Sequence, residues 1–181
     1  LFDYSAEPDT PDSIFPNNWV SFHSDGRIGL YPMCAPNRRL ERRMEIFDQL
    51  RDIHGLHVGA IEDFTSNEEE GKYLEGTGSM ILDRENIIAY VALSIRTDEQ
   101  IFEEFCKRFG DEPVAFVANQ TVNGERLPIY HANVMMCLAD EFAVICLDTI
   151  DDVDEQQEVI ESLEGSDKEI IEIIGGESPA P

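Results

Sequence analysis

The sequence predicts an α/β domain assembled from repeated ββαβ units, and three observations point there. Apolar residues switch between the two-residue period of strands and the 3.6-residue period of helices in a fixed order. Turn signals between paired strands, near Asp25, Arg84 and Asp140, recur every ~55 to 60 residues, as expected of one supersecondary unit used several times. With 181 residues, 42% of them hydrophobic, the chain has material for one domain with a real core. A ββαβ unit cannot bury both its sheet and its helix alone, so such units must pack in a row or around a common axis.

In the first unit, residues 19–23 and 27–31 read as strands joined across Ser24-Asp25-Gly26, where Asp-Gly is a strong hairpin signal. Leu40, Met44, Phe47 and Leu50 lie on one helical stripe, His54-Gly55 stops that helix, and residues 58–61 read as the third strand. The second unit offers strands 79–82 and 87–93 around a turn at 83–86. A helix opened by Thr97 follows, with Gln100 in capping-box register and Ile101, Phe105 and Phe109 on its buried face. Gly110 ends it, and residues 114–117 give the next strand. The third unit has strands 134–138 and 142–147, a helix from about 152 to 163 presenting Val159, Ile160 and Leu163, and a strand at 169–174. This divides the chain into a lead-in segment with a site loop (1–17), a domain at 18–174 with units at about 18–62, 78–118 and 133–174, and a turn-rich tail (175–181). A start at Leu1 and a Gly-Pro-rich end make a fragment of a longer protein the expectation.

Charge excludes several functions. Thirteen Lys plus Arg face 38 Asp plus Glu, a formal charge of -25, which repels phosphate backbones and argues against nucleic-acid binding. Only Lys72, Lys107 and Lys168 carry ammonium groups; a host with high internal salt and an ordinary acidic cytosolic protein both fit. No apolar run approaches the roughly 20 residues of a membrane span, and no secretory leader is evident, so a cytoplasmic protein without membrane contact is expected. Cys34, Cys106, Cys137 and Cys146 lack metal-ligand spacing, and three lie in apolar stretches, as reduced, buried thiols would. His23, His54, His57 and His131 share no spacing with paired carboxylates; neither a metal nor a cofactor is expected.

Four segments carry polar residues that a packed sheet does not require: Pro11 onward to Asn17-Asn18-Trp19; Asn37-Arg38-Arg39-Leu40-Glu41-Arg42-Arg43; Glu75-Gly76-Thr77-Gly78-Ser79 together with Ser94-Ile95-Arg96-Thr97; and Tyr130-His131-Ala132-Asn133. Taken singly, each has a structural explanation: turn residues, a solvated helix start, a loop carboxylate, a core histidine. Together they sit at strand ends of successive units. A radial arrangement would gather Asn18, Arg38, Glu75, Arg96, His131 and Asn133 into one pocket with an acid-base pair and two carboxylate-binding guanidiniums, suited to an amino acid. A separation beyond about 15 Å between His131 and Glu75 would end that reading.

In order, Phe15-x-x-Asn18, Arg38-Arg-x-Glu41, Glu75-Gly-x-Gly78, Ser94-x-Arg-Thr97 and His131-x-Asn133 resemble the guanidino-group-modifying enzymes called penteins. The arginine-deiminase-related branch with citrulline-utilisation hydrolases is the most similar. The resemblance covers about residues 11–174. It implies a five-bladed α/β propeller of ββαβ modules with about three modules present, and a cysteine nucleophile attacking a guanidine or ureido carbon. It further implies that His131 is the general acid/base, that Glu75 holds the substrate's nitrogen end, that Arg38 and Arg96 clamp its α-carboxylate, and that Phe15, Asn18 and Asn133 line the rest of the site. Asn18 and Asn133 stand where arginine deiminases have aspartates. A guanidinium offers five donors and no acceptor and wants buried carboxylates, whereas a neutral ureido carbonyl accepts from an asparagine amide, so citrulline, giving ornithine, is the favoured substrate. Arginine deiminase, dimethylarginine hydrolase, amidinotransferase and a non-catalytic amino-acid-binding fragment stay open as alternatives, as does a homo-oligomer. The family nucleophile lies near the end of a longer chain, and no cysteine here matches its motif, so it is expected beyond Pro181. A truncated propeller is also expected to expose apolar faces and self-associate.

Overall fold

The computed structural model describes residues 10–174, so the tail at 175–181 and the first nine residues of the lead-in segment lie outside the described part. Three small sheets follow one another along the chain, each an antiparallel hairpin, a helix, then a strand parallel to the hairpin's second strand. The first unit holds β1 (Val20–Phe22), β2 (Ile28–Leu30), α1 (Pro36–Arg39), α2 (Glu45–His54) and β3 (Ile61–Asp63). The turn α3 (Gly76–Ser79) leads into β4 (Met80–Asp83), β5 (Ile88–Ala92), α4 (Glu99–Phe109) and β6 (Glu112–Phe116). A separate hairpin, β7 (Asn119–Val122) and β8 (Glu125–Pro128), precedes β9 (Met136–Leu138), β10 (Phe142–Ile145), α5 (Val153–Gly165) and β11 (Glu169–Glu172). The architecture is α/β.

The second strand of each unit is central in its sheet, and β5 accordingly reads Ile-Ala-Tyr-Val-Ala and is buried throughout. Helices fill the spaces between successive sheets. On α4, Ile101, Phe102 and Phe105 share a core with Tyr31 and Phe64 of the first unit and with Met80 and Val91 of the second. On α5, Val159 and Leu163 do the same between Tyr90, Val114 and Phe116 and the third unit's Ala143 and Ile145. Full burial of a side chain such as Phe102 or Phe105 is worth roughly 1.5–3 kcal/mol. Cations cross the seams: Arg27 lies over the Phe109 ring and donates to the Arg108 and Phe109 carbonyls that end α4, while buried Lys168 donates to the Asp140 carbonyl, 3.5 Å from Asp83.

Several local expectations are corrected. Leu40 and Met44 are exposed and precede α2, which buries Phe47, because the chain first makes the short turn α1 that Pro36 starts. The N-cap of α4 is Asp98, whose carboxylate accepts from the Gln100 and Ile101 amides; Thr97 instead hydrogen-bonds Ser79. The third strand of the first unit lies at 61–63, and residues 132–134 form a 3-10 turn before β9. The β7–β8 hairpin was not anticipated, although Asn123-Gly124, both at positive φ, is the strongest short hairpin signal. Cys106 and Cys146 are buried, Cys34 is half-buried, and Cys137 is exposed, its side chain alternating outward on β9. No helix among the described residues is long and apolar enough to cross a membrane.

His23 closes the first unit against the second, stacked 4.0 Å from the Phe109 ring and 2.8 Å from Ser21 Oγ, which in turn meets the Tyr31 hydroxyl. Burial, reinforced by Arg84, pushes its pKa from 6.5 to about 4, so the fold holds this ring neutral. The unfolded chain takes up the proton first as pH falls. The stabilisation is therefore present above pH 6.5 and is lost progressively between 6.5 and 4. Urea-unfolding midpoints of His23→Gln against the parent across that range should show the parent's extra pH dependence disappear; parallel curves would contradict it.

Candidate functional site

Asn18 precedes β1, Glu75 precedes β4 and His131 precedes β9, while Arg38 and Arg96 follow β2 and β5. All five thus stand at the sheet ends opposite the hairpin turns. The α3 turn packs between the 3-10 turns that carry Asn18 and follow His131, which closes the distances between units. The result is a cleft of about 400 Å³ lined by Phe15, Asn18, Arg38, Arg96, His131 and Asn133, with Asp12, Asn17, Ala35, Tyr130 and Val134 completing its wall.

Behind the cleft, His131 Nε2 lies 2.7 Å from Glu75 Oε2, two buried groups 56 residues apart in sequence. Glu75 is fully buried and both its oxygens are engaged: Oε1 accepts the Cys34 amide at 2.9 Å, and Oε2 also has Arg96 Nη1 at 3.5 Å. Burial alone would raise its pKa, but the hydrogen bonds from His131 and Cys34 and the charge of Arg96 outweigh it and hold the carboxyl below the ordinary 4.5. Glu75 is therefore a carboxylate at neutral pH. Its partner is the imidazole, and it is not among the residues lining the cleft. An ionised Glu75 can only accept, so Nε2 of His131 carries a proton and Nδ1 is the nitrogen left to exchange one.

Ser79 Oγ accepts the Glu75 amide and the Thr97 hydroxyl and donates to the Arg96 carbonyl, tying the Glu75 and Arg96 loops together. Arg96 lies over the Tyr130 ring at 4.7 Å, with its guanidinium at the cleft. Arg38 is buried and forms a fork with Glu41, at 2.9 and 3.1 Å, while donating to the Asp12 and Phe15 carbonyls. It braces the loop that carries Phe15 and Asn18 as well as bordering the cleft. Asn18 is buried, and its side-chain amide makes no hydrogen bond among the described residues, so its polar end opens on the cleft. Asn133 and Phe15 are exposed at the rim. Sequence reasoning missed Asp12, the one carboxylate among the described residues of the cleft wall, and Tyr130, although Tyr130 adjoins His131. Among the described residues no group of three His, Cys, Asp or Glu could hold a metal.

The chain matches the family model of eukaryotic N,N dimethylarginine dimethylhydrolases over residues 1–177 and belongs to that family, within the pentein superfamily of C–N hydrolases. Solved structures share the fold. The substrate-bound N-terminal domain of ArgZ, an arginine dihydrolase from the ornithine-ammonia cycle in cyanobacteria, is 18% identical with a TM-score of 0.61, covering 90% of this chain and 54% of its own. Unliganded AgrE is 18% identical with a TM-score of 0.63, over 90% of this chain and 21% of its own. A dimethylarginine dimethylaminohydrolase adduct with 4-chloro-2-hydroxymethylpyridine is 18% identical with a TM-score of 0.55, over 91% of this chain and 56% of its own. The chain thus spans about half the length of the ArgZ domain and of that hydrolase. No curated protein matches it.

The cleft depends on two glycines. Gly76 has φ +44°, and a Cβ there would collide with the Asn17 carbonyl oxygen; a Cβ on Gly78 would stand 2.8 Å from Asn18 Oδ1. Gly76→Ala should destabilise the chain by about 1–3 kcal/mol through strain and displacement of the 16–18 turn. Gly165→Ala, in a helix with open space around it, should leave the melting temperature unchanged or slightly raised. Differential scanning calorimetry of the two variants checks this; equal melting temperatures would refute the packing argument.

Proposed function

From that membership and the cleft, we propose that the chain forms part of a hydrolase cleaving a C–N bond of a ureido or guanidino amino acid, with citrulline, giving ornithine, favoured. Asn18 supports the ureido preference: the side-chain amide of this buried residue makes no hydrogen bond among the described residues and borders a cleft whose one carboxylate among the described residues, Asp12, is exposed. An asparagine NH₂ can donate to a ureido carbonyl, whereas a guanidinium there would be a buried cation without a facing carboxylate. Asn133 completes the ureido contact, Phe15 covers the aliphatic stem, and Arg96 with Arg38 receives the α-carboxylate.

In this reading a thiolate attacks the ureido carbon, the ornithine amine leaves with a proton from His131, and water deprotonated by the same imidazole cleaves the S-carbamoyl intermediate, returning the thiol and releasing carbamate, which breaks down to carbon dioxide and ammonia. Glu75 orients that imidazole and accepts its Nε2 proton in a hydrogen bond. The thiolate is assigned to a segment outside this chain. Burial pushes the Cys106 and Cys146 thiols up to about 12, where they are poor nucleophiles, and Cys34 and Cys137 are not among the residues lining the cleft. We further propose that the three units belong to a five-bladed propeller, that 18–174 is the pentein-like domain, and that the protein works in the cytoplasm on a free amino acid. A second reading, N,N-dimethylarginine as substrate, is favoured by the family match over residues 1–177.

Ornithine, citrulline and ammonia release from citrulline, arginine and dimethylarginine should be measured on the complete gene product, with calorimetric binding on this chain. Citrulline should bind best, and Arg96→Ala should weaken it roughly 10- to 100-fold, the worth of a charged hydrogen-bonded contact. Asn18→Asp with Asn133→Asp should move preference toward arginine by at least about tenfold; an unchanged ratio would overturn the ureido reading, and dimethylarginine as best ligand would establish the second.

A further inference from the structure

We propose that Arg39 is a positioning residue for the Glu75–His131 pair, acting through the single peptide group between Met33 and Cys34. The proposal rests on the acid-base reading of that pair and concerns a residue the cleft does not touch. The Met33 carbonyl accepts Arg39 Nε at 2.8 Å, and the amide N–H of the same peptide group, on Cys34, donates to Glu75 Oε1 at 2.9 Å. A cation at the oxygen end of a peptide group withdraws charge along it and makes its N–H a stronger donor. The guanidinium is thus relayed through one planar unit to a buried carboxylate, and from there to Nε2 of His131.

The surroundings hold that peptide plane from both sides. Arg39 Nη2 also donates to the Cys34 carbonyl, and Glu68 accepts the Met33 amide at 2.7 Å. Arg42 grips Glu68 with two nitrogens and donates to the Tyr31 carbonyl, so it anchors the same strand end without touching the Met33–Cys34 peptide. Arg42 therefore serves as an internal comparison: a purely structural contribution from the arginine cluster would be shared by both residues. Among the described residues, the charged or titratable groups acting on Glu75 are His131 from the turn before β9, Arg96 from the loop after β5 and Arg38 from α1, and none is altered in the test.

The experiment follows the Cys34 amide resonance of the ¹⁵N-labelled chain against pH, without substrate, so that it reports ionisation of the carboxylate it touches. Arg39→Gln should move the amide proton upfield and raise the titration midpoint, weakening the acid roughly threefold, as loss of hydrogen bonding to the charged form requires. Arg39→Lys, which keeps the charge with one donor centre, should recover part of the shift, whereas Arg42→Lys should lower the melting temperature and leave the midpoint in place. An unchanged midpoint in Arg39→Gln, or an equal shift in Arg42→Lys, overturns the proposal. Should Arg39→Gln not fold, Arg39→Lys decides alone: a raised midpoint supports the relay and a parental one refutes it. Citrulline binding is measured separately by calorimetry, so a failed substrate assignment with an intact relay, or the converse, is recognised as such.

Discussion

A carboxylate with no access to water is the constraint around which this molecule is arranged. Isolating Glu75 from solvent would favour its neutral form or unfolding, since an unpaired buried charge costs several kcal/mol. It stays ionised because an amide from the first unit, an imidazole from the third and a guanidinium from its own unit converge on it. Each partner brings a requirement of its own. The amide needs the strand end at 31–34 held still, the imidazole needs the third unit seated against α3, and the guanidinium needs the Ser79–Thr97 tie. Satisfying one buried acid therefore fixes three units relative to each other, and leaves the histidine with one ring nitrogen for chemistry.

The repeat makes such convergence possible. Every unit turns its hairpin at one end, so the start of its first strand and the finish of its second meet at the other, where side chains distant in sequence become neighbours. The helices show how the units depend on one another. Lying between two sheets, α4 buries Ile101, Phe102, Phe105, Cys106 and Phe109; α2, with one sheet beside it, buries Phe47 among its helical residues. Similar lengths thus give very different cores, decided by what stands on the far side.

Signals that act within a few residues were readable in the sequence. Gly55 and Gly110 end helices in the left-handed region, Asp25-Gly26 turns the first hairpin, and continuous apolar runs mark β4, β5 and β10. The gathering of Asn18, Glu75, Arg96 and His131 was readable too, because repeated strand ends imply it. What escaped depends on partners far apart in sequence. Nothing local distinguishes Asp98 from Thr97 as a cap once Thr97 is drawn to Ser79. Nothing local says that both oxygens of Glu75 are taken, whereas the fork of Arg38 to Glu41, three residues on, was within reach of the sequence and went unread. Asn123-Gly124 was legible and overlooked, since it fell outside the repeat period that organised the reading.

The placement of the cations follows from the same economy of partners. Against 38 acidic residues the chain has 13 Lys plus Arg, too few to neutralise its surface. Many instead point at backbone carbonyls where units or loops meet: Arg27 at the end of α4, Lys168 at Asp140, Arg126 at Asp148 and Thr149, Arg38 at Asp12 and Phe15, Arg39 at Met33 and Cys34. A guanidinium suits this use, because its rigid fork reaches two carbonyls at once and it is less strongly hydrated than an ammonium, which explains why ten of the thirteen are arginines. Partly buried contacts of this kind are screened by salt far less than the repulsion among exposed carboxylates. The fold thus keeps its seams intact under the ionic conditions that best tolerate its surface, and the site inherits that rigidity through Arg38 and Arg39.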